Sequence, residues 1–297
     1  MIAADAQALR SNSPAESLFW RQLLVGAMRH LPQWMIDSQV PVWATLFYLR
    51  MPELRDAITY NQRWTCPDRN SGAVERELQA WRTFLCYCQR VAAAYRTYTG
   101  RPPPPALRSA NHQRLREAID RKTGVVLVTG HLGAWQLGPY LLGALDLPPL
   151  TIVMAEEPNA ETQRLERHLL SKRINVHYPG SSPTSSLALL AALRRGEMVA
   201  MQIDRPHSRS FRVPLLGGQA EFAAGPAVLS SLSGAPIIPL FFPVKDRRPE
   251  VWIEGPLEPP AADNASRRAA TESIALIYGQ YVRRYPEQWH NFYRFFR

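Results

Sequence analysis

His131 is the residue of this 297-residue chain whose type and placement best suit catalysis. It follows Val125-Val126-Leu127-Val128, an apolar, β-branched run that suits a strand buried on both faces, and the Thr129-Gly130 pair that ends the run. From Leu132 onward Trp135, Leu137, Tyr140, Leu141 and Leu142 recur at helix-like intervals. The spacing predicts strand, tight turn, helix, with the imidazole at the carboxyl end of the strand, where open α/β sheets place their ligand crevices. Gly130 and Gly133 flank it without a Cβ, so another backbone or a substrate can come close. Such an imidazole either takes a proton from a substrate or merely closes a local hydrogen bond. A second candidate is Asp204, ending the apolar run Met198 to Ile203, with Arg205, Arg209 and Arg212 clustered after it. No GxxxxGK[ST], no GxGxxG behind a strand and no GxSxG occurs, and no His and acid share the helical spacing of a zinc peptidase. Neither a metal nor a resident cofactor is expected.

The elements that must position these residues fall into two parts. Residues 1–100 are helical: a frayed tail over 1–15, apolar helices from Leu18 to Leu31 (broken by Pro32) and Trp34 to Arg50, a turn at Arg50 to Arg55 into a third, a loop over 67–72, and a long amphipathic helix from Ala73 to Tyr98. The two aromatic-rich helices at the start are either core elements or a surface that rests on lipid headgroups. After the polyproline stretch at 102–105, residues 106–297 read as α/β. Strands at Val125–Val128, Thr151–Met154, Ile174–Tyr178, Met198–Ile203, Ile237–Phe242 and Val251–Ile253 alternate with helices at Asn111–Arg121, Asn159–Lys172, Ser185–Arg195, Gly225–Ser233 and about Arg267–Arg284. That order implies a mainly parallel sheet flanked by helices, preceded by the helical segment and forming with it a single domain over 1–297.

Composition narrows the partners. The net charge of +10 favours anionic ones, whether phosphorylated ligands, an acidic protein, nucleic acid or an anionic membrane. No aromatic-basic RNA motif or helix-turn-helix supports nucleic acid. No run approaches the roughly 18–20 apolar residues of a membrane span, and the start lacks the order of a signal peptide. Cys66, Cys86 and Cys88 form no zinc or disulfide framework, which suits reduced thiols in the cytoplasm.

Four motifs in order resemble the bacterial acyltransferases of the lipid A biosynthesis type, relatives of the glycerolipid acyltransferases. Their GHxGxWE block stands here as Gly130-His131-Leu132-Gly133-Ala134-Trp135-Gln136. An aspartate ahead of a basic loop and an apolar-Gly turn matches Asp204 to Gly217, a helix and Gly-Ala-Pro-apolar strand match Gly225 to Phe242, and a Pro-Glu-Gln-aromatic segment closing on Arg-Phe matches Pro286 to Trp289 with Arg294-Phe295. The resemblance covers about residues 20–297. It implies transfer of a fatty acyl group from an acyl thioester, on acyl carrier protein or CoA as co-substrate, to a hydroxyl or amine, with His131 as general base. It also implies a cytoplasmic protein, soluble or peripheral on the inner membrane. Backbone N–H groups near Gly133 would receive the oxyanion, Gly133 and Trp135 would line the substrate, and Arg205, Arg209 and Arg212 would hold a phosphate or a carrier-protein acid.

One position departs from the pattern. The motif's acid, five residues after the histidine, is Gln136. Three outcomes are open: Gln136 orients the ring as a neutral amide, another acid (Asp204 or Glu156) reaches His131, or the site is degenerate and the protein binds an acyl chain or carrier protein without catalysis.

Overall fold

In the computed structural model the described residues are 18–65, 72–101, 108–142, 147–155, 160–170, 174–178, 185–205, 209–246 and 248–297. The tail, Cys66 and the loop after it, the proline run, Glu156, the 179–183 turn and residues 206–208 of the basic loop lie outside them.

Four helices lead: α1 (Leu18–His30), α2 (Gln33–Arg50), α3 (Pro52–Thr65) and α4 (Ala73–Tyr98). Pro32 separates α1 from α2 as the α2 N-cap, whereas Pro41 sits inside α2 without ending it. Arg101 reaches back to the carbonyls of Arg29 and Leu31 at the end of α1. Ala44, Ile58, Ala80 and Phe84 form the core shared by α2, α3 and α4.

The main sheet follows. Its strands are β1 (Arg108–Ala110), β2 (Val125–Thr129), β3 (Leu150–Val153), β4 (Asn175–His177), β5 (Met198–Gln202), β8 (Ile237–Phe241) and β10 (Arg248–Ile253), in the order β1-β10-β8-β2-β5-β3-β4, with β9 (Val244–Lys245) paired to β10. From β8 to β4 every pairing is parallel; β10 runs antiparallel to β8. Helices α5 (His112–Asp120), α6 (Gly138–Leu142), α7 (Ala160–Leu170), α8 (Ser185–Arg194), α9 (Gly225–Ser233) and α10 (Asn264–Arg284) complete the α/β part. Side chains of β2 alternate between two cores: Val126 and Val128 pack with Phe241, Leu193 and Tyr278 on one face, Val125 and Leu127 with Leu115, Leu240 and Leu141 on the other. That double burial is the physical reason for an unbroken apolar strand.

Two expectations differ. The segment after His131 is not helical from Leu132. Leu132 bridges Trp289, Gly133 bridges Phe242, a 3-10 turn covers Trp135–Leu137, and only then does the five-residue α6 begin. Residues 210–223 form a hairpin, β6 (Ser210–Leu215) and β7 (Gly218–Ala223), turning at Leu216-Gly217. Val213, Leu215, Ala220 and Phe222 face the core while Arg212, Pro214 and Gln219 are exposed, a period-2 pattern that marks a half-buried hairpin.

Candidate active site

Strands β2 and β5 are parallel neighbours in a register that pairs Val125 with Met198 and Thr129 with Gln202. The Ile203 N–H donates to the Thr129 carbonyl, carrying the ladder one residue further. The same offset, continued past both carboxyl ends, sets His131 beside Asp204. The Asp204 carboxylate is fully buried and holds the histidine at two points: Oδ1 lies 2.8 Å from Nδ1 of the ring, and Oδ2 accepts the His131 backbone N–H at 2.8 Å. Oδ2 also accepts the Tyr278 phenol at 2.5 Å. Tyr293 donates to the Asp204 carbonyl.

Burial works to raise the Asp204 pKa, but the imidazole, Arg205 and the Tyr278 hydrogen bond outweigh it and hold the carboxyl below the usual carboxylate range. An ionised carboxylate on Nδ1 assigns the ring proton to that nitrogen and leaves the lone pair on Nε2. Arg205 Nε–H points at Nε2 from 3.5 Å, with its guanidinium stacked 5.1 Å over the Tyr293 ring. Trp135 covers the imidazole edge-on, with centroids 4.7 Å apart. The His131 side chain keeps 6% of its surface exposed. The arrangement can take a proton at Nε2 and stabilise the resulting imidazolium through Asp204.

The other residues singled out in the sequence divide. Gln136 does not hold the ring: both of its side-chain amide atoms are buried without a hydrogen-bond partner among the described residues, and its carbonyl accepts from Tyr98. The backbone N–H groups near Gly133 are not open to an oxyanion. Those of Leu132, Gly133 and Ala134 donate to Gly130, Gln288 and Phe242. Arg212 is turned to Glu221 across the hairpin at 3.5 Å, and Arg209 is exposed. Of the three arginines, Arg205 is the one seen on the imidazole. Among the described residues no group of three or more His, Cys, Asp and Glu could hold a metal ion.

Sequence reasoning missed a buried neighbour, His290. Its backbone N–H donates to the His131 carbonyl at 2.8 Å, while its two ring nitrogens find no hydrogen-bond partner among the described residues. Burial, with the charges of Arg90 and His131 added, pushes its pKa down to about 3. Because the unfolded value lies near 6.5, between about pH 6.5 and 3 the unfolded chain binds a proton that the folded one refuses, so stability falls as pH drops through that window. The loss by pH 4 is on the order of 3 kcal/mol. Urea unfolding from pH 7 to pH 4 should show this slope, and His290→Gln should flatten it; an equal slope in both proteins removes His290 as its source.

A family model described as bacterial lipid A biosynthesis acyltransferase matches residues 92–297. That span holds His131, Asp204, the arginines and the closing aromatic segment. No curated protein matches the chain.

Proposed function

The chain belongs to the bacterial lipid A biosynthesis acyltransferase family, and from that membership we propose that it moves an acyl group from an acyl thioester, on acyl carrier protein or CoA, to a hydroxyl or amine acceptor. The single observation that carries the mechanism is the buried Asp204 carboxylate on Nδ1 of His131. Nε2 takes the acceptor's proton as its oxygen or nitrogen attacks the thioester carbonyl; the tetrahedral intermediate collapses with expulsion of the thiolate, which recovers a proton from the imidazolium. Asp204 fixes the tautomer and offsets the imidazolium charge. Arg205 moves off Nε2 as the acceptor arrives, and its guanidinium, beside the reacting atoms, stabilises the oxyanion in place of the committed N–H groups of Leu132, Gly133 and Ala134.

The helical part gives the reading a place to work. No described helix is long and apolar enough to cross a membrane. Yet Phe19, Trp20, Leu23, Trp34, Val42, Trp43 and Leu49 are exposed on α1 and α2, and Trp20 meets Trp43 at 5.9 Å, so the two helices offer one aromatic face. Arg21, Arg29 and Arg50 stand among these residues. Such a face suits peripheral contact with anionic headgroups, where a lipid acceptor is presented.

The experiment is thiol release and product mass spectrometry with acyl-CoA and acyl-carrier-protein thioesters and a panel of lipid and amine acceptors. Transfer is expected from the native chain, and His131→Ala should fall to background with its thermal unfolding little changed. Thioesters that bind and stay intact with every acceptor would favour the non-catalytic binding module instead.

A further inference from the structure

We infer that Tyr278 and Trp289 are positioning residues that set the basicity of His131 through Asp204. The inference rests on the catalytic reading of His131, but on a geometry of its own. Trp289 Nε1–H donates to the Tyr278 oxygen at 2.7 Å, the Tyr278 hydroxyl donates to Asp204 Oδ2 at 2.5 Å, and Asp204 Oδ1 meets the ring at 2.8 Å. The indole, phenol and carboxylate are all buried, so no water competes for these bonds.

The chain's layout holds this relay in place. Gly130, immediately before the histidine, has no Cβ because the Tyr278 ring occupies that space; a Cβ there would lie 2.4 Å from the ring edge. Trp289 bridges Leu132, and the flanking Gln288 carbonyl and His290 N–H bond Gly133 and His131. Gln288 in turn clamps both the N–H and the carbonyl of Val244 with its amide. Thus the closing segment fixes the catalytic turn with its backbone and feeds the carboxylate with a side chain.

A donor on Oδ2 spreads the carboxylate's charge and weakens its pull on the ring proton. Burial first, and then the Asp204 charge, push the Tyr278 phenol far above its ordinary range, so it stays a neutral donor at working pH. The Trp289 N–H polarises the phenol and strengthens that donation. Among the described residues Arg205 and Tyr293 also bear on Asp204, and Arg205 and His290 on His131; none of these changes in the variants below.

Tyr278→Phe and Trp289→Phe each remove one donor while keeping an aromatic ring. Histidine-ring 15N NMR of the full chain, titrated with pH, reads His131 without any substrate. Tyr278→Phe should raise the midpoint of His131 protonation by about 0.5–1 pH unit, and Trp289→Phe should raise it by a smaller step. The acid limb of dodecanoyl-CoA thiol release should move upward in the same order. A folded Tyr278→Phe protein with an unmoved midpoint overturns the relay; if that variant does not fold, an unmoved midpoint in Trp289→Phe does. His131→Ala, measured alongside by thiol release, tests the catalytic reading separately: full activity there refutes the general base while the NMR midpoints still decide the relay.

Discussion

Asp204→Asn should lower acyl transfer by about 10⁴-fold, the scale seen when a buried aspartate behind a catalytic histidine becomes an amide. Asp204 accepts three hydrogen bonds through its carboxylate: from Nδ1, from the His131 N–H and from Tyr278. An asparagine oxygen can serve the last two, which places its NH2 group against the ring. That group donates only, so Nδ1 must become the acceptor and the ring proton moves to Nε2. On the proposed mechanism the base is then blocked at Nε2, the atom assigned to the acceptor's proton. By contrast, Gln136→Ala should leave the rate near that of the native enzyme, because no hydrogen bond joins its side chain to the ring. Steady-state rates of the two variants decide between the acids: a large loss in Gln136→Ala with Asp204→Asn intact would return the orienting role to the motif position.

Position 136 entered through the resemblance, as the place of the motif's acid, and the path of the chain explains why its side chain does not reach the ring. Counting five residues from His131 reaches the imidazole only if the chain coils at once, and it does not. Leu132 and Gly133 are spent on bridges to Trp289 and Phe242, which turn Gln136 away. Asp204 was legible as a candidate because it ends an apolar strand, but nothing local says that β5 lies next to β2. That adjacency skips β3 and β4, and it is the sheet order that converts two strand ends into one site. The strand–helix alternation and the long α4 were readable because burial imposes a period on each, and the break after α1 because Pro32 punctuates it. The β6–β7 hairpin carried a readable period as well, in Val213, Leu215, Ala220 and Phe222, but the basic and glycine residues around it made it look like a loop. The Tyr278 contribution was beyond local reading: helix periodicity places that side chain inward, and only the tertiary fold shows that its hydroxyl ends on a carboxylate 74 residues away.

Gly133→Ala should be the most damaging single-methyl change in the site. Gly133 has φ +66°, and an added Cβ would lie 2.0 Å from the Phe242 carbonyl oxygen and 2.6 Å from its carbon. Neither atom belongs to a flexible side chain, so the backbone itself must yield. Phe242 belongs to the chain leaving β8, and its carbonyl accepts the Ala134 N–H at 2.7 Å. Displacing it breaks that bond and strains the neighbouring bond from the Gly133 N–H to Gln288. Left-handed backbone costs an alanine about 1–2 kcal/mol and overpacking about 1–3 kcal/mol more, giving a loss of about 3–6 kcal/mol once a hydrogen bond of about 1 kcal/mol goes with them. Gly217→Ala is the control, because Gly217 also has positive φ (+88°) but none of the described residues lies within 4 Å of the new methyl. It should lose only the backbone part, about 1–2 kcal/mol. The difference between the two urea midpoints isolates the clash. Equal losses would mean that the turn relaxes around the methyl, and that Gly133 serves the chain's path rather than the contact of the catalytic turn with β8.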